Sequence, residues 1–306
     1  MHRELPIQSK IRHCLLKDNG EVNYYTHSNN QALKQSGLTA LLDGTDGQRE
    51  VEIPESYWRI EVEGTIRRIK VSEMPLPGFF RVPKFYVSPD GACMQRSTGK
   101  LASVVNTTAD YRGGNNNATW DSQSRSLLGK EVSSISLTQA RDAARLRGPG
   151  WESYNILAHH VISWLIRIEY ANLNVQLPFN ADLTADGFRQ GGLGNGVTTL
   201  NNSLWSSWNN SNPFLPVGLT TSLGNGSGVV PYSMPTEYSS PAVQIEVPVW
   251  RGIANPFGYL WRWVDGVLFN VQSDAAGGKT LAYATYDPSL FSSNNFSQYD
   301  IIGEIP

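Results

Sequence analysis

Along residues 57–71 bulky apolar positions alternate with charged ones, in Tyr57-Trp58-Arg59-Ile60-Glu61-Val62 and again in Ile66-Arg67-Arg68-Ile69-Lys70-Val71. Side chains of a strand point alternately to its two faces, so this period of two predicts a hairpin closed by Glu63-Gly64-Thr65. The stretch from Phe79 to Val87 adds a strand, while Pro75, Pro77, Pro83 and Pro89 confine the region to edge strands and irregular connections. Downstream the period changes. Ser136-Leu137-Thr138-Gln139 is a capping-box pattern, and the Ala- and Arg-rich run to Arg147 with Gly148 as C-cap predicts a helix. A second helix is expected after Pro149-Gly150, from Trp151 to about Asn172, with Tyr154, Leu157, Val161, Trp164 and Ile168 as an apolar stripe and Leu165 beside it. The two helices are expected to pack together. Residues 180–245 read as loops, followed by four strands at Gln244 to Trp250, Tyr259 to Val264, Val267 to Val271 and Thr280 to Tyr286.

The densest pattern lies in 249–266. Asn255-Pro256-Phe257-Gly258 is a tight turn, since Pro presets φ at its second position and Gly supplies positive φ at its end. Trp261 and Trp263 then alternate with Leu260, Arg262 and Val264, which predicts two indoles on one strand face; both, with Trp164 and Trp250, are assigned to the core. A different use of tryptophan occurs at Asn201 to Ser211, where Trp205 and Trp208 stand in a polar loop with Asn209 and Asn210. Indoles supply contact area at low entropy cost and amides supply adaptable hydrogen bonds, so these four are candidate ligand-binding residues. The competing reading buries both rings against the protein itself or a neighbouring subunit. The polar stretch from Asn106 to Lys130 is expected to be a long loop.

Composition narrows the function classes. Charged residues make up 17% of the 306, below the roughly 25% usual in globular domains. A net charge of -2 provides no electrostatic drive toward nucleic acid. No window is long and apolar enough to insert in a membrane, and Met1 to Lys10 has no uninterrupted apolar core of a signal peptide. Cys14 and Cys93 have neither zinc-ribbon nor disulfide-scaffold spacing and read as free buried thiols.

Candidate chemistry is sparse. His159 and His160 are adjacent, so on a helix they point about 100° apart and cannot chelate one ion; they read as structural. Asp43, Asp46, Asp182 and Asp186 lie in Gly-containing loops without an EF-hand pattern and read as turn formers. There is no nucleophile elbow and no P-loop. No catalytic residue, metal or cofactor is expected.

The motif Trp250-Arg251-Gly252-Ile253-Ala254-Asn255-Pro256-Phe257-Gly258, continuing through Trp261, Trp263, Asp265 and Gly266, resembles formylglycine-generating-enzyme-like domains, which have a C-type lectin fold. It is most similar to phage and bacterial members, including variable proteins diversified by retroelements. Asp43 to Pro54, Val71 to Phe79, Val82 to Val87, Asn106 to Asn117 and Leu183 to Leu193 resemble segments of phage tail and fibre proteins carrying such a domain. The resemblance implies an α+β, C-type-lectin-like fold of two helices, a small antiparallel sheet and long loops over 91–306, preceded by a β-rich attachment and oligomerisation region over 1–90. It also implies a non-enzymatic virion surface protein in a fibre, tail or head appendage, adhering to host surface glycan or protein. Its partners would be other virion proteins and copies of itself, a trimer first. The alternatives are a purely architectural virion protein and, more distantly, an oxidase of the formylglycine-generating type. That oxidase works through a late cysteine pair, and no cysteine follows Cys93. The usual final core strand of the family is not recognisable before Pro306, which leads to the expectation of a shortened domain or a longer native chain.

Overall fold

The computed structural model describes residues 4–106, 108–113, 131–133, 135–175, 177–179, 215–233, 244–256 and 262–305. These form an α+β protein with two α-helices and mostly antiparallel sheets.

Strands β1 (Arg12–Leu16), β2 (Val22–His27), β3 (Asn30–Lys34) and β4 (Gln48–Ile53) form one antiparallel sheet in spatial order β3-β2-β1-β4. Strand β4 is buried at all six positions although four of them are Gln48, Arg49, Glu50 and Glu52. Burying such groups requires partners. Arg49 donates to Asp90 Oδ2 and to Gln31 Oε1, each at 2.6 Å, and Gln31 in turn donates to the Gly224 carbonyl at 3.1 Å and meets His13 Nε2 at 3.1 Å. Glu52 accepts from Arg12, Tyr25 and Tyr86.

The predicted hairpin is β5 (Ser56–Glu63) and β6 (Ile66–Ser72), in a register that pairs Glu63 with Ile66. Gly64 takes φ 58 at the first turn position, as a type II′ turn requires. One face carries Trp58, buried, and Ile60 and Val62, exposed; the other carries the pairs Glu61–Lys70 and Glu63–Arg68. The expected Phe79–Val87 strand is broken by Pro83 into β7 (Phe80–Val82), which pairs with β5, and β8 (Phe85–Val87), which pairs with β4.

With β6-β5-β7 as the second sheet, short strands β9 (Cys93–Gln95), β10 (Lys100–Ala102) and β11 (Tyr111–Arg112) make a third, small one. The last of these lies inside the expected Asn106–Lys130 loop, the rest of which falls mainly outside the described residues. Helix α1 (Leu137–Arg145) starts with the capping box, the Ser136 hydroxyl accepting from Gln139 N and the Gln139 side chain accepting from Ser136 N. Helix α2 (Ile156–Tyr170) begins later than predicted because Asn155, not the Pro149-Gly150 turn, caps it, its side chain accepting from Ala158 N at 3.1 Å. Its buried face is Ile156, Val161, Ile162, Leu165, Ile166 and Glu169; Leu157, Trp164 and Ile168 of the predicted stripe are only partly buried at its flank. The two helices are not each other's main packing partner. Helix α1 lies on β10, whereas α2 enters the principal core.

Strands β12 (Gly228–Ser233), β13 (Gln244–Trp250) and β14 (Ile253–Ala254) form a fourth sheet of their own, and β15 (Val267–Val271), β16 (Thr280–Ala284) and β17 (Asp300–Ile305) a fifth. The strand expected over Tyr259–Val264 is not seen at its described residues 262–264, which are irregular; the remainder lies outside the described residues. The principal core joins Ile11, Val51, Ile53, Trp58 and Val82 to Val161, Ile162, Leu165 and Ile166 of α2 and to Trp250 and Ile253. Each fully buried large apolar side chain contributes about 1.5–3 kcal/mol. Cys14 and Cys93 are free and buried.

Candidate functional site

Two buried ion pairs organise the 250–266 motif. Trp250 is fully buried and its indole N–H donates to Glu169 Oε2 at 2.9 Å, while Arg251 donates to both Glu169 oxygens at 2.9 Å. Arg251 (φ 49) and Gly252 (φ 77) both have left-handed backbone, and a Cβ on Gly252 would lie 1.9 Å from His13 Nε2. Asn255 (φ 44) is buried, and its N–H donates to the Pro248 carbonyl at 2.8 Å, turning the chain toward Pro256. Asp265, also fully buried, takes a two-pronged contact from Arg141 of α1 at 2.6 and 2.8 Å and a hydroxyl from Ser153 at 3.0 Å. The motif therefore joins α1, α2 and β13 through charge as well as apolar burial.

Asp265 also positions an exposed surface. Its N–H donates to the Tyr154 carbonyl and its carbonyl accepts from Ile156 N, both at 2.8 Å, so Arg262 and Trp263 are delivered to the start of α2. Thr285 N donates to the Gly266 carbonyl at 2.9 Å, which brings Tyr286 to the same end. Rings then follow one another: the Arg262 guanidinium sits 5.1 Å above the Tyr154 ring, Tyr154 meets His159 edge-on at 6.1 Å, His159 lies 6.3 Å from His160, and His160 meets Tyr286 at 6.1 Å. His160 Nδ1 and the Tyr286 hydroxyl are 3.0 Å apart. Farther along the helix, Arg167 lies 5.2 Å over Trp164 and donates to the Ser163 carbonyl.

Trp263 corrects a prediction. It is 55% exposed, anchored only at its edge, where the indole N–H donates to the Ile135 carbonyl at 2.9 Å. The alternation with Trp261 would bury it on a strand, but the chain is irregular at 262–264. Tyr286, 54% exposed, forms the other end of the face. Its role has no local sequence signal, because it depends on a long-range backbone contact.

The electrostatics of the face are uneven. Burial holds His159 below the usual histidine range, and the positive charges of His160, Arg262 and Arg167 depress it further. Burial also lowers His160 and raises the Tyr154 and Tyr286 phenols. At neutral pH the face thus presents neutral imidazoles and phenols beside permanently charged guanidinium groups. Among the described residues neither Arg262 nor Arg167 is held in an ion pair. This arrangement can stack a ring, accept and donate hydrogen bonds, and counter a negative charge.

The other candidates fall elsewhere. Trp205, Trp208, Asn209, Asn210, Gly258, Trp261, Asp182 and Asp186 lie outside the described residues. Asp43 accepts from Thr45 N in a turn, and Asp46 accepts from the Tyr24 hydroxyl. Among the described residues no group of three or more His, Cys, Asp or Glu side chains could hold a metal ion, and no helix is long and apolar enough to cross a membrane. Comparison of the chain with protein-family models, with curated proteins and with solved structures finds no match.

Proposed function

We propose that this is a non-enzymatic phage virion surface protein, in which a C-type-lectin-like domain adheres to the host cell surface. The observation carrying the reading is the ring-and-cation face of Arg262, Tyr154, His159, His160 and Tyr286, in which Arg262, His159 and Tyr286 are exposed and Tyr154 and His160 half-buried, with the exposed Trp263 next to Arg262 in the chain. An interior of paired charges holds that face while the aromatic side chains remain accessible, the arrangement expected of a preorganised recognition surface. The two-helix α+β architecture and the buried positions of Trp250 and Asp265 agree with the motif's resemblance to lectin-like domains. In this reading the protein resides on the virion, with other virion proteins and copies of itself, a trimer first, as partners. It has no role in nucleic-acid binding or membrane insertion.

A purely architectural role is the second reading, and the β5–β6 hairpin favours it: Ile60, Val62 and the adjoining Phe80 of β7 present an apolar surface to solvent. Saturable binding of labelled protein to intact bacterial cells tests the first reading. Absence of binding to every cell type tried, by folded and fully assembled protein, supports the second.

A further inference from the structure

We infer that the face at the start of α2 is a binding site for an extended carboxylated oligosaccharide, with Arg262 receiving a carboxylate and the exposed ring of Tyr286, three ring contacts beyond Tyr154, packing against a sugar farther along the chain. The inference rests on the adhesion reading and names the chemical class of its ligand.

Three observations carry it. Arg262 is exposed, its guanidinium lies 5.1 Å over the Tyr154 ring and also hydrogen-bonds the Tyr154 side chain, and it has no acidic partner among the described residues. A planar guanidinium matches a carboxylate with two parallel hydrogen bonds. Next, the groups converging on His159 are all cationic or neutral: His160 and Arg167 from α2, Arg262 from the motif, Tyr154 from the segment before the helix. The nearest carboxylate in sequence to Tyr286 is Asp287, and it is occupied within its own turn, accepting from Ser289 N at 2.9 Å and Ser289 Oγ at 2.7 Å. Asp287 stays ionised beside Tyr286, so the positive field is local to the His159 end of the face, where Arg262 and Arg167 lie, on a chain of net charge -2. Third, the remaining polar atoms are phenol hydroxyls and imidazole nitrogens, which both donate and accept as sugar hydroxyls require.

A phosphodiester polymer would use the same rings and guanidinium, but with a net charge of -2 the chain lacks the overall positive charge that drives such binding through counterion release. A carboxylated sugar needs only one well-placed cation. An anion at Arg262 would also offset the positive charges that depress His159, so binding should raise the His159 pKa and strengthen as pH falls through it.

The test measures binding of the full chain to immobilised polygalacturonate, to its fully methyl-esterified form, and to dextran sulfate and single-stranded DNA. The expected result is saturable binding to polygalacturonate alone, weakened at least about tenfold by Arg262→Gln and not restored by Arg262→Lys, which keeps the charge but not the fork. Proton NMR titration of the His159 ring should show its pKa rising when the polymer is bound. Absence of polygalacturonate binding, equal binding of the ester, equal binding of dextran sulfate or DNA, or affinity unchanged in Arg262→Gln would each overturn the inference. If wild-type protein still binds cells while any of these holds, adhesion stands and only the ligand class fails. If cell binding is also absent, both readings fall.

Discussion

Gly252 shows how one residue ties distant parts of the chain together. Its φ of 77 suits glycine, and any Cβ would strike His13 Nε2 at 1.9 Å and the Gly224 carbonyl at 2.6 Å. His13 cannot give way easily, because it is fully buried, in contact with Gln31, and held neutral by burial and by Arg49, its pKa pushed down to about 3. Gly252→Ala should therefore cost about 3 kcal/mol or more, combining backbone strain with overpacking; urea denaturation showing a loss under about 1 kcal/mol would contradict the packing. Glu50 gives a pH signature. Burial raises its carboxyl from 4.5 to about 8, against the opposing influence of Arg147 and Arg49. Between those values the unfolded chain has lost the proton that the folded chain keeps, so this group's contribution falls as pH rises. Relative to wild type, Glu50→Gln should gain stability steadily from pH 5 to pH 8; a difference that stays constant over that window would refute the burial. At this scale the sequence was informative where burial is apolar. Trp250 is in the core as its motif suggests, whereas the exposure of Trp263 and the ring face around His159 and His160 depend on contacts between segments far apart in the chain.

Among elements, the β5–β6 hairpin was legible almost to the residue, because alternation and a Gly-bearing two-residue turn are local signals. Strand β4 was not. Gln48, Arg49, Glu50 and Glu52 look like surface residues, and distant partners make three of them tolerable inside: Ser103 N donates to Gln48, Arg49 reaches Asp90 and Gln31, and Glu52 accepts from Arg12, Tyr25 and Tyr86, while burial keeps Glu50 protonated. Helix α2 was recognised by period, but its start and the centre of its buried face were displaced, since Asn155 sets the first and the packing of two layers sets the second. The cap has a measurable worth. Asn155→Ala should lower stability by about 1 kcal/mol. It should also loosen the first turn, seen as faster amide exchange at Ala158; unchanged exchange there would show that the cap does not hold this end of the helix.

In the whole molecule, residues on both sides of position 90 share the principal core: Ile11, Val51 and Trp58 come from the first part, α2 and Trp250 from the second. The fragment 91–306 loses an entire wall of that core, so it should lack cooperative unfolding and dispersed amide resonances; a well-folded fragment would contradict the shared core. The sequence indicated the α+β class and a β-rich first third. It did not indicate that this region is built into the same core as α2, because pairing of distant segments leaves no local pattern. Function follows the same division. The motif resembles that of a known scaffold, and the proposal of adhesion rests on the accessible surface beside it.

The most direct test of adhesion through this face is flow-cytometric binding of labelled full-length protein to a panel of intact bacteria, comparing wild type with Trp263→Ala/Tyr286→Ala and with Trp205→Ala/Trp208→Ala. Saturable wild-type binding is expected to be lost in the first double variant while its thermal unfolding is preserved. Binding that survives that change, or that is lost only with Trp205 and Trp208, would contradict adhesion through this face.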